Sequence, residues 1–403
     1  MRILYLNYDW DPRESTGAMT HIRELSRHLS AMGHDVHVED RNRRRSLPSM
    51  THGGDKKDPT APGPWKSKLS PYLHESAALV RALLSIAPET ALVRRERPDV
   101  VLVRHSLHQF SAIFAARRCG VPVVYEVNAP APYEYRKYRS KYFLVPRFAE
   151  WLETRMLGRT DGIFVVSEIL KRHFVGRGIP EDRIRVVPNG ADVRRFRPDV
   201  PNPEVRGLLG DKNVIIGFVG SFARFHGIDH LRYAIDLLSR ERPQVRFLLV
   251  GSGEMGDDLR SHCSGQGLDS LVHFTGHVTP EKVPGLMAAA DILLAPYAAQ
   301  DFFYLSPIKI FEYMAAGKPI LAASVGQIAE VIQHEKNGLL YQPDDMRSFS
   351  QALFRLVDEP GLRQRLGESA RHVVETRYTW QANAEAVGAL LDEAVAKSVT
   401  KKN

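Results

Sequence analysis

The segment from 301 to 324, DFFYLSPIKIFEYMAAGKPILAAS, joins residues that can hold an anion to the start of a helix. Ser306 is placed to cap a helix whose first position is Pro307, because a Ser hydroxyl accepts an orphan amide and Pro has none to lose there. Ile308 then offers an unbonded helix-start amide, and Lys309 and Glu312, three residues apart, share nearly one face. An ammonium beside N-terminal amides suits phosphate, and a carboxylate suits a pair of ribose hydroxyls. The same spacing also describes a solvated Lys–Glu pair on a surface helix, and both readings stand at this point.

A second candidate anion site is VIIGFVGSFARFHGIDHL, a pattern that also describes an Arg and a His merely exposed near a helix start. An apolar strand ends at Gly220 and is followed by Ser221, Arg224, His226 and Gly227 at the start of the next helix. Small residues let a diphosphate approach the backbone, Arg224 offers a fork of donors, and His226 can donate at least one hydrogen bond. A weaker third site is Thr16, Gly17 and Ala18 ahead of the first helix, where one glycine also describes an ordinary turn. No G-x-G-x-x-G follows the first strand, which argues against a nicotinamide or flavin dinucleotide. His105 stands at the carboxyl end of an apolar strand, a place for a substrate-facing or a merely structural imidazole.

Short apolar runs must carry these residues. Ile3–Asn7, Asp35–Glu39, Val100–Val103, Val121–Tyr125 and Gly162–Val166 read as strands alternating with helical stretches such as Phe110–Cys119 and Arg147–Leu157. The alternation restarts after Pro198–Pro203, with strands at Val214–Val219, Arg246–Val250, Leu271–Phe274, Ile292–Ala295 and Pro319–Ala322. This is an α/β chain with two Rossmann-like doubly wound domains, expected at 1–198 and 199–379, facing a cleft. An amphipathic helix is expected near 380–396, and residues 41–71, basic and rich in Pro and Gly, read as a surface excursion.

Length and composition agree with two globular domains: 403 residues, 43% hydrophobic and 25% charged. No run approaches the roughly 20 apolar residues of a membrane span, and the start lacks a signal-peptide pattern, so a cytoplasmic protein is expected. Two cysteines give neither a disulfide framework nor a metal site. Residues 1–200 hold 34 Lys and Arg against 23 Asp and Glu, whereas 201–403 hold 21 against 24. A basic first half attracts anionic lipid, nucleic acid or phosphorylated substrate, or is simply solvated.

FEYMAAGKP followed by VGQIAEVI and NGLLY, preceded by FVGSFARFHG, VGSGE, VHFTGHV, ADILLAPY, VVSEILKRHF and VVPNGAD, resembles glycosyltransferase family 4 over nearly the whole chain. The resemblance implies a GT-B fold, a nucleoside diphosphate sugar (UDP- or GDP-) as co-substrate, transfer with retention, and neither cofactor nor metal. It implies that Glu312 holds the ribose, the backbone near Val278 the base, and Gly17 with residues 220–227 the diphosphate. It also implies that the helix around Trp380 crosses back to the first domain.

Three motifs depart from the family pattern. Ser221 and His226 stand where many members have Arg and Lys, with Arg224 and Lys309 as the compensating cations. Tyr304 stands where the first of two spaced glutamates is usual, and it can bond a sugar hydroxyl but supplies no carboxylate. YEVNAP offers Glu126 and Asn128 where many relatives have His. The combination resembles a subgroup with SP-x-K-x-FEYMA and E-x-NAP. A GT-B scaffold that binds without transferring, and a nucleotide-sugar epimerase, are the competing readings. The acceptor is expected to be a glycan or lipid-linked, reached by a basic first domain that touches the inner face of an anionic membrane through Tyr133–Phe148. No nucleic-acid partner is expected.

Overall fold

The structure, a computed structural model, describes residues 1–8, 17–40, 64–138 and 145–400. The chain divides into two compact units. Within the described residues, unit 1 runs to Pro188 and includes Trp380 onward, and unit 2 is Asn189–Thr379. The division at Pro188/Asn189 lies ahead of the Pro198–Pro203 stretch.

Unit 1 is built from β1 (Arg2–Asn7), α1 (Gly17–Ala31), β2 (Asp35–Asp40), α2 (Pro64–Glu96), β3 (Val100–Arg104), α3 (Ser111–Cys119), β4 (Val123–Val127), α4 (Ala131–Tyr138), α5 (Pro146–Leu157), β5 (Gly162–Val165), α6 (Glu168–Val175) and β6 (Ile184–Val186). Its strands form one parallel sheet in the order β2-β1-β3-β4-β5-β6. β3, β4 and β5 are buried along their whole length, as expected of strands covered by helices on both faces.

Unit 2 comprises α7 (Pro203–Leu209), β7 (Val214–Val219), α8 (Ile228–Glu241), β8 (Val245–Val250), α9 (Gly256–Gly265), β9 (Val272–Gly276), α10 (Val283–Ala289), β10 (Ile292–Ala295), α11 (Ile308–Ala315), β11 (Ile320–Ala323), α12 (Ile328–Val331), β12 (Leu339–Tyr341), α13 (Met346–Asp358) and α14 (Pro360–Arg377). The second sheet is also parallel, in the order β12-β11-β10-β7-β8-β9. The final helix, α15 (Trp380–Thr400), lies in unit 1, where Val387, Leu391 and Ala394 join the core with Ile22, Leu25 and Leu29 of α1.

Three local readings change. Residues 64–71, expected in the surface excursion, open the long helix α2, whereas residues 41–63 lie outside the described residues. β4 begins two residues later than expected, which places Glu126 inside a buried strand instead of in the loop after it. Glu75–Glu96 of α2 is, by length and composition, long and apolar enough to cross a membrane, contrary to the expectation that no segment is. Its charges stand near the ends, and one internal Arg81 and Glu89 do not outweigh the Ala, Leu and Val between them.

Candidate active site

In unit 2 the strand order reverses between β7 and β10, and the loops leaving the carboxyl ends of both strands meet at that switch point, where open α/β sheets bind ligands. β7 is followed directly by Gly220, whose φ of 150° lies outside the range other residues adopt readily. The loop after β8 runs backbone against backbone with it: Gly220 N donates to Val250 O at 3.0 Å, Phe222 N to Ser252 O at 2.9 Å and Met255 N to Phe222 O at 2.9 Å. A Cβ on Gly220 would collide with Nζ of Lys309, so the glycine makes the space that the ammonium occupies.

Lys309 rises from the first turn of α11. Its Nζ is shielded from solvent and makes no hydrogen bond among the described residues. It stands 4.5 Å from the centroid of the Phe218 ring and 5.3 Å from that of Tyr297. Ring faces attract a cation but do not replace its lost hydration. Burial therefore pulls the Lys309 pKa down to about 7, with the charge of Glu312 opposing the shift. A desolvated ammonium beside a helix start is placed to take up an anion.

Ser306 does not cap this helix. α11 begins at Ile308 with Pro307 in the capping position, and Ser306 Oγ instead accepts from Asn189 N at 3.0 Å while Asn189 Nδ2 donates to Ser306 O at 2.6 Å. A Pro that continues in extended geometry, with ψ of 112°, turns the Ser hydroxyl away from the helix amides. The serine thus ties the PNGAD loop to the start of α11, and the amides of Ile308 and Lys309 are left without intrahelical acceptors.

The segment Ser221–Gly227 is not the first turn of a long helix but a short 3-10 turn, Arg224–His226, closed by Gly227. Gly227 has φ 74°, and a Cβ there would run into the carbonyl of Pro296. His226 Nδ1 lies 2.7 Å from the Ser221 carbonyl oxygen, which can only accept, so Nδ1 carries the proton. Burial, and then the neighbouring Lys309 charge, press the His226 pKa down to about 3. The imidazole is neutral near pH 7 and its one N–H is used internally, so Nε2 offers a lone pair rather than the donor expected for a diphosphate. Arg224 is exposed, and its guanidinium makes no hydrogen bond or ion pair among the described residues.

The remaining donor-side positions separate. Glu312, half-buried, follows Lys309 by one turn. Val278, half-buried, lies just past β9 on the same sheet edge. Tyr304 is 1% exposed and its ring packs on Phe302 at 5.3 Å, so it is a core residue in the free protein. Gly17, exposed, opens α1 in unit 1, and Thr16 lies outside the described residues.

In unit 1 the expected acceptor-side residues form a buried charge network. Glu126 is fully buried and accepts from Tyr5 Oη, Arg104 Nη1 and Asn128 Nδ2, with His21 Nε2 at 3.3 Å. Burial alone would raise its pKa, but Arg104, His21 and the hydrogen bonds hold it below the usual carboxylate value. His105 is largely buried; its Nε2 lies 2.9 Å from Glu153 Oε1, which also accepts from Ala131 N at 2.7 Å. These side chains brace the carboxyl ends of β1, β3 and β4; of the expected three, Glu126 is buried and His105 and Asn128 are half-buried, each engaged by a carboxylate.

Tyr5, Arg104, His21 and Glu153 were not expected here, nor were Phe218 and Tyr297 in unit 2. A charged residue at the end of VVLVR and one short of the end of VVYEV was the available signal, because a buried charge demands a partner. Of the aromatic and basic segment Tyr133–Phe148, residues 139–144 lie outside the described residues. Of the rest, Tyr135 packs against Leu107, Ala131 and Ala149, and Tyr133 Oη accepts from Lys137 at 3.0 Å.

Comparison with known proteins adds to this geometry. The family described as "Glycosyltransferase Family 4" matches residues 15–195 and that described as "Glycosyl transferases group 1" matches 213–359. MMP alpha-(1->4)-mannosyltransferase of Mycolicibacterium hassiacum is 25% identical, over 98% of this chain and 99% of its own. Among solved structures, sucrose-phosphate synthase from Thermosynechococcus elongatus superposes with a TM-score of 0.72 at 20% identity, covering 98% of this chain and 99% of its own. Anabaena HepE in complex with UDP-glucose superposes with a TM-score of 0.68 at 20% identity, covering 97% and 99%. With both units matched in order and two parallel six-stranded sheets in the fold, the chain belongs to the group 1, family 4 glycosyltransferases and has the GT-B fold.

Proposed function

We propose that this glycosyltransferase takes its sugar from a UDP- or GDP-sugar held by unit 2 and transfers it with retention, without a metal, to a glycan or lipid-linked acceptor. The observation that carries the reading is the solvent-shielded Nζ of Lys309, without a hydrogen-bond partner among the described residues, between two ring faces at the start of α11. A bound diphosphate supplies the missing counter-charge, and HepE, a neighbour in fold, is known in complex with UDP and with UDP-glucose.

In this reading the bond from the anomeric carbon to the diphosphate breaks as the acceptor oxygen bonds to the same face of that carbon. The acceptor proton passes to the departing phosphate oxygen. Lys309, Arg224 and the amides of Ile308 and Lys309 stabilise the charge that grows on the leaving group, the kind of preorganised term worth several kcal/mol in enzymes. These cations do the work a metal would do. Glu312 holds the ribose hydroxyls, and the backbone near Val278 holds the base. His226 Nε2 accepts from a hydroxyl of donor or acceptor.

Calorimetric titration with UDP, GDP and their sugars, followed by measurement of nucleoside diphosphate release against an acceptor panel, tests this. Binding with release of diphosphate and sugar transfer is the expected result. Failure of all these nucleotides to bind overturns the donor assignment. Tyr304, packed in the core at the place of a usual carboxylate, favours the alternative of a binding subunit, and tight binding with no release against any acceptor would establish that alternative.

A further inference from the structure

α2 packs along α3, and Phe110 and Ile113 at α3 share a small cavity with Leu152, Met156 and Leu157 of α5. The three helices therefore form one layer of unit 1. Its inner side is the sheet. Its outer side is apolar where solvent-facing helices are normally polar: Val80, Leu83 and Leu84 on α2 are 53%, 59% and 72% exposed, Phe114 on α3 is 37% exposed, and Phe148 and Trp151 on α5 are 43% and 58% exposed. Val80, Leu83 and Leu84 fall at the i, i+3, i+4 spacing of one helix stripe, and the rings of Phe148 and Trp151 stack at 5.8 Å. Scattered exposed apolar residues are ordinary, but several large ones on one layer mark a docking surface.

The charge around this surface selects its occupant. Each helix of the layer leads into a strand of a parallel sheet, so the carboxyl ends of α2, α3 and α5 lie at one edge. That edge carries exposed Arg94, Arg95, Arg117, Arg118 and Arg155. Glu96 neutralises Arg95 at 2.7 Å, and Glu150 is held by Arg136 at 3.1 Å and Arg177 at 3.3 Å, which leaves Arg94, Arg117, Arg118 and Arg155 without an ion pair among the described residues. Apolar side chains flanked by these four cations match the boundary between acyl chains and anionic headgroups. A second copy of the chain would bring the same arginines together.

We propose that the outer face of the α2–α3–α5 layer docks on an anionic bilayer surface. The inference deepens the transferase reading by naming how a lipid-linked acceptor is met, and rests on that reading for its purpose only. Docking lies flat and does not span: α2 packs on α3 and buries Glu89 completely, and neither survives withdrawal of the helix into a bilayer.

The test is sedimentation of the purified protein with vesicles of phosphatidylcholine alone and of phosphatidylcholine with phosphatidylglycerol, at low and high salt. Binding is expected only with phosphatidylglycerol, weakened by salt. Leu84→Glu with Trp151→Glu, and separately Arg94→Glu with Arg118→Glu, should each lower the partition coefficient at least about tenfold, each cation near an anionic surface being worth roughly a fewfold change. All four positions are exposed, so folding and nucleotide binding should be unchanged. No sedimentation at low salt, binding indifferent to lipid charge, or a self-associating protein that Leu84→Glu dissociates while vesicles stay unbound would each overturn the inference. Nucleotide binding and transfer to a soluble acceptor, measured on the same variants, separate its failure from failure of the transferase reading.

Discussion

Lys309 Nζ lies 4.5 Å from the centre of the Phe218 ring, the side chain that stands two residues before Gly220 at the end of β7. The strand that opens unit 2 thus supplies an aromatic face, and the glycine after it a missing Cβ, to one ammonium from a helix about ninety residues later, and that ammonium has no hydrogen-bond partner among the described residues.

The lowered Lys309 pKa has a definite sign. In the unfolded chain it is 10.5 and in the fold about 7, so between these values the unfolded state holds the extra proton and stability rises with pH. Lys309→Met, which removes the buried charge, should melt higher than wild type at pH 6, and the gap should narrow as pH rises from 7 towards 10. A gap that does not change with pH would show that the ammonium is not desolvated. Binding of UDP or GDP should restore the charge, taking up about one proton at pH 8 and almost none at pH 5.5. Titration in buffers of different ionisation enthalpy measures this, and Lys309→Met should abolish it.

Gly227→Ala places a methyl group against the Pro296 carbonyl at a φ of 74°. Backbone cannot swing aside as a side chain can, so the expected cost is about 1–3 kcal/mol or more, read as a lower denaturation midpoint. Nucleotide affinity should fall with it, because the 3-10 turn and Pro296 share the switch-point loops. Unchanged melting and unchanged affinity would mean that the loop repacks freely.

Glu126→Gln strands Arg104 in a site that is 8% exposed. Removing one partner of a buried ion pair costs about 3–5 kcal/mol, whereas Arg104→Met with Glu126→Leu should recover most of it. Glu126 has a depressed pKa, so its contribution is present above pH 4.5 and is lost as pH falls through the lower folded value. Urea denaturation from pH 7 to pH 3 should show the wild-type advantage shrinking. A stable single variant with much-reduced transfer would instead assign Glu126 to the substrate.

Glu312→Gln tests the ribose assignment. Affinity for UDP or GDP should drop about tenfold or more, the loss of charge-assisted hydrogen bonds, while affinity for inorganic diphosphate stays within twofold. Equal losses for both ligands would place Glu312 at the phosphates, and no loss for either would remove it from the site.

The alternation of strands and helices was legible because buried parallel strands must be continuous apolar runs, and VIIGFV, VRFLLV and ILLA are such runs whatever surrounds them. The ordered short motifs carried the family, and Lys309 stood out as a cation beside a helix start. The helix α2 was misread at its beginning, because Pro, Gly and Lys between 53 and 71 mark loops locally and only the run beyond Glu75 pulls the helix back to Pro64.

The roles of single side chains were decided elsewhere. Ser306 has the composition of a cap, yet its hydroxyl belongs to Asn189, 117 residues away in the chain. Glu126 and His105 have the composition of a site, yet Tyr5, Arg104 and Glu153 bury them as braces. Local pattern determines where a strand ends and which residue types stand there, since that depends on near neighbours in the chain. Whether a polar atom at that end meets ligand or protein depends on which distant segment arrives beside it, and only the tertiary structure brings those segments together.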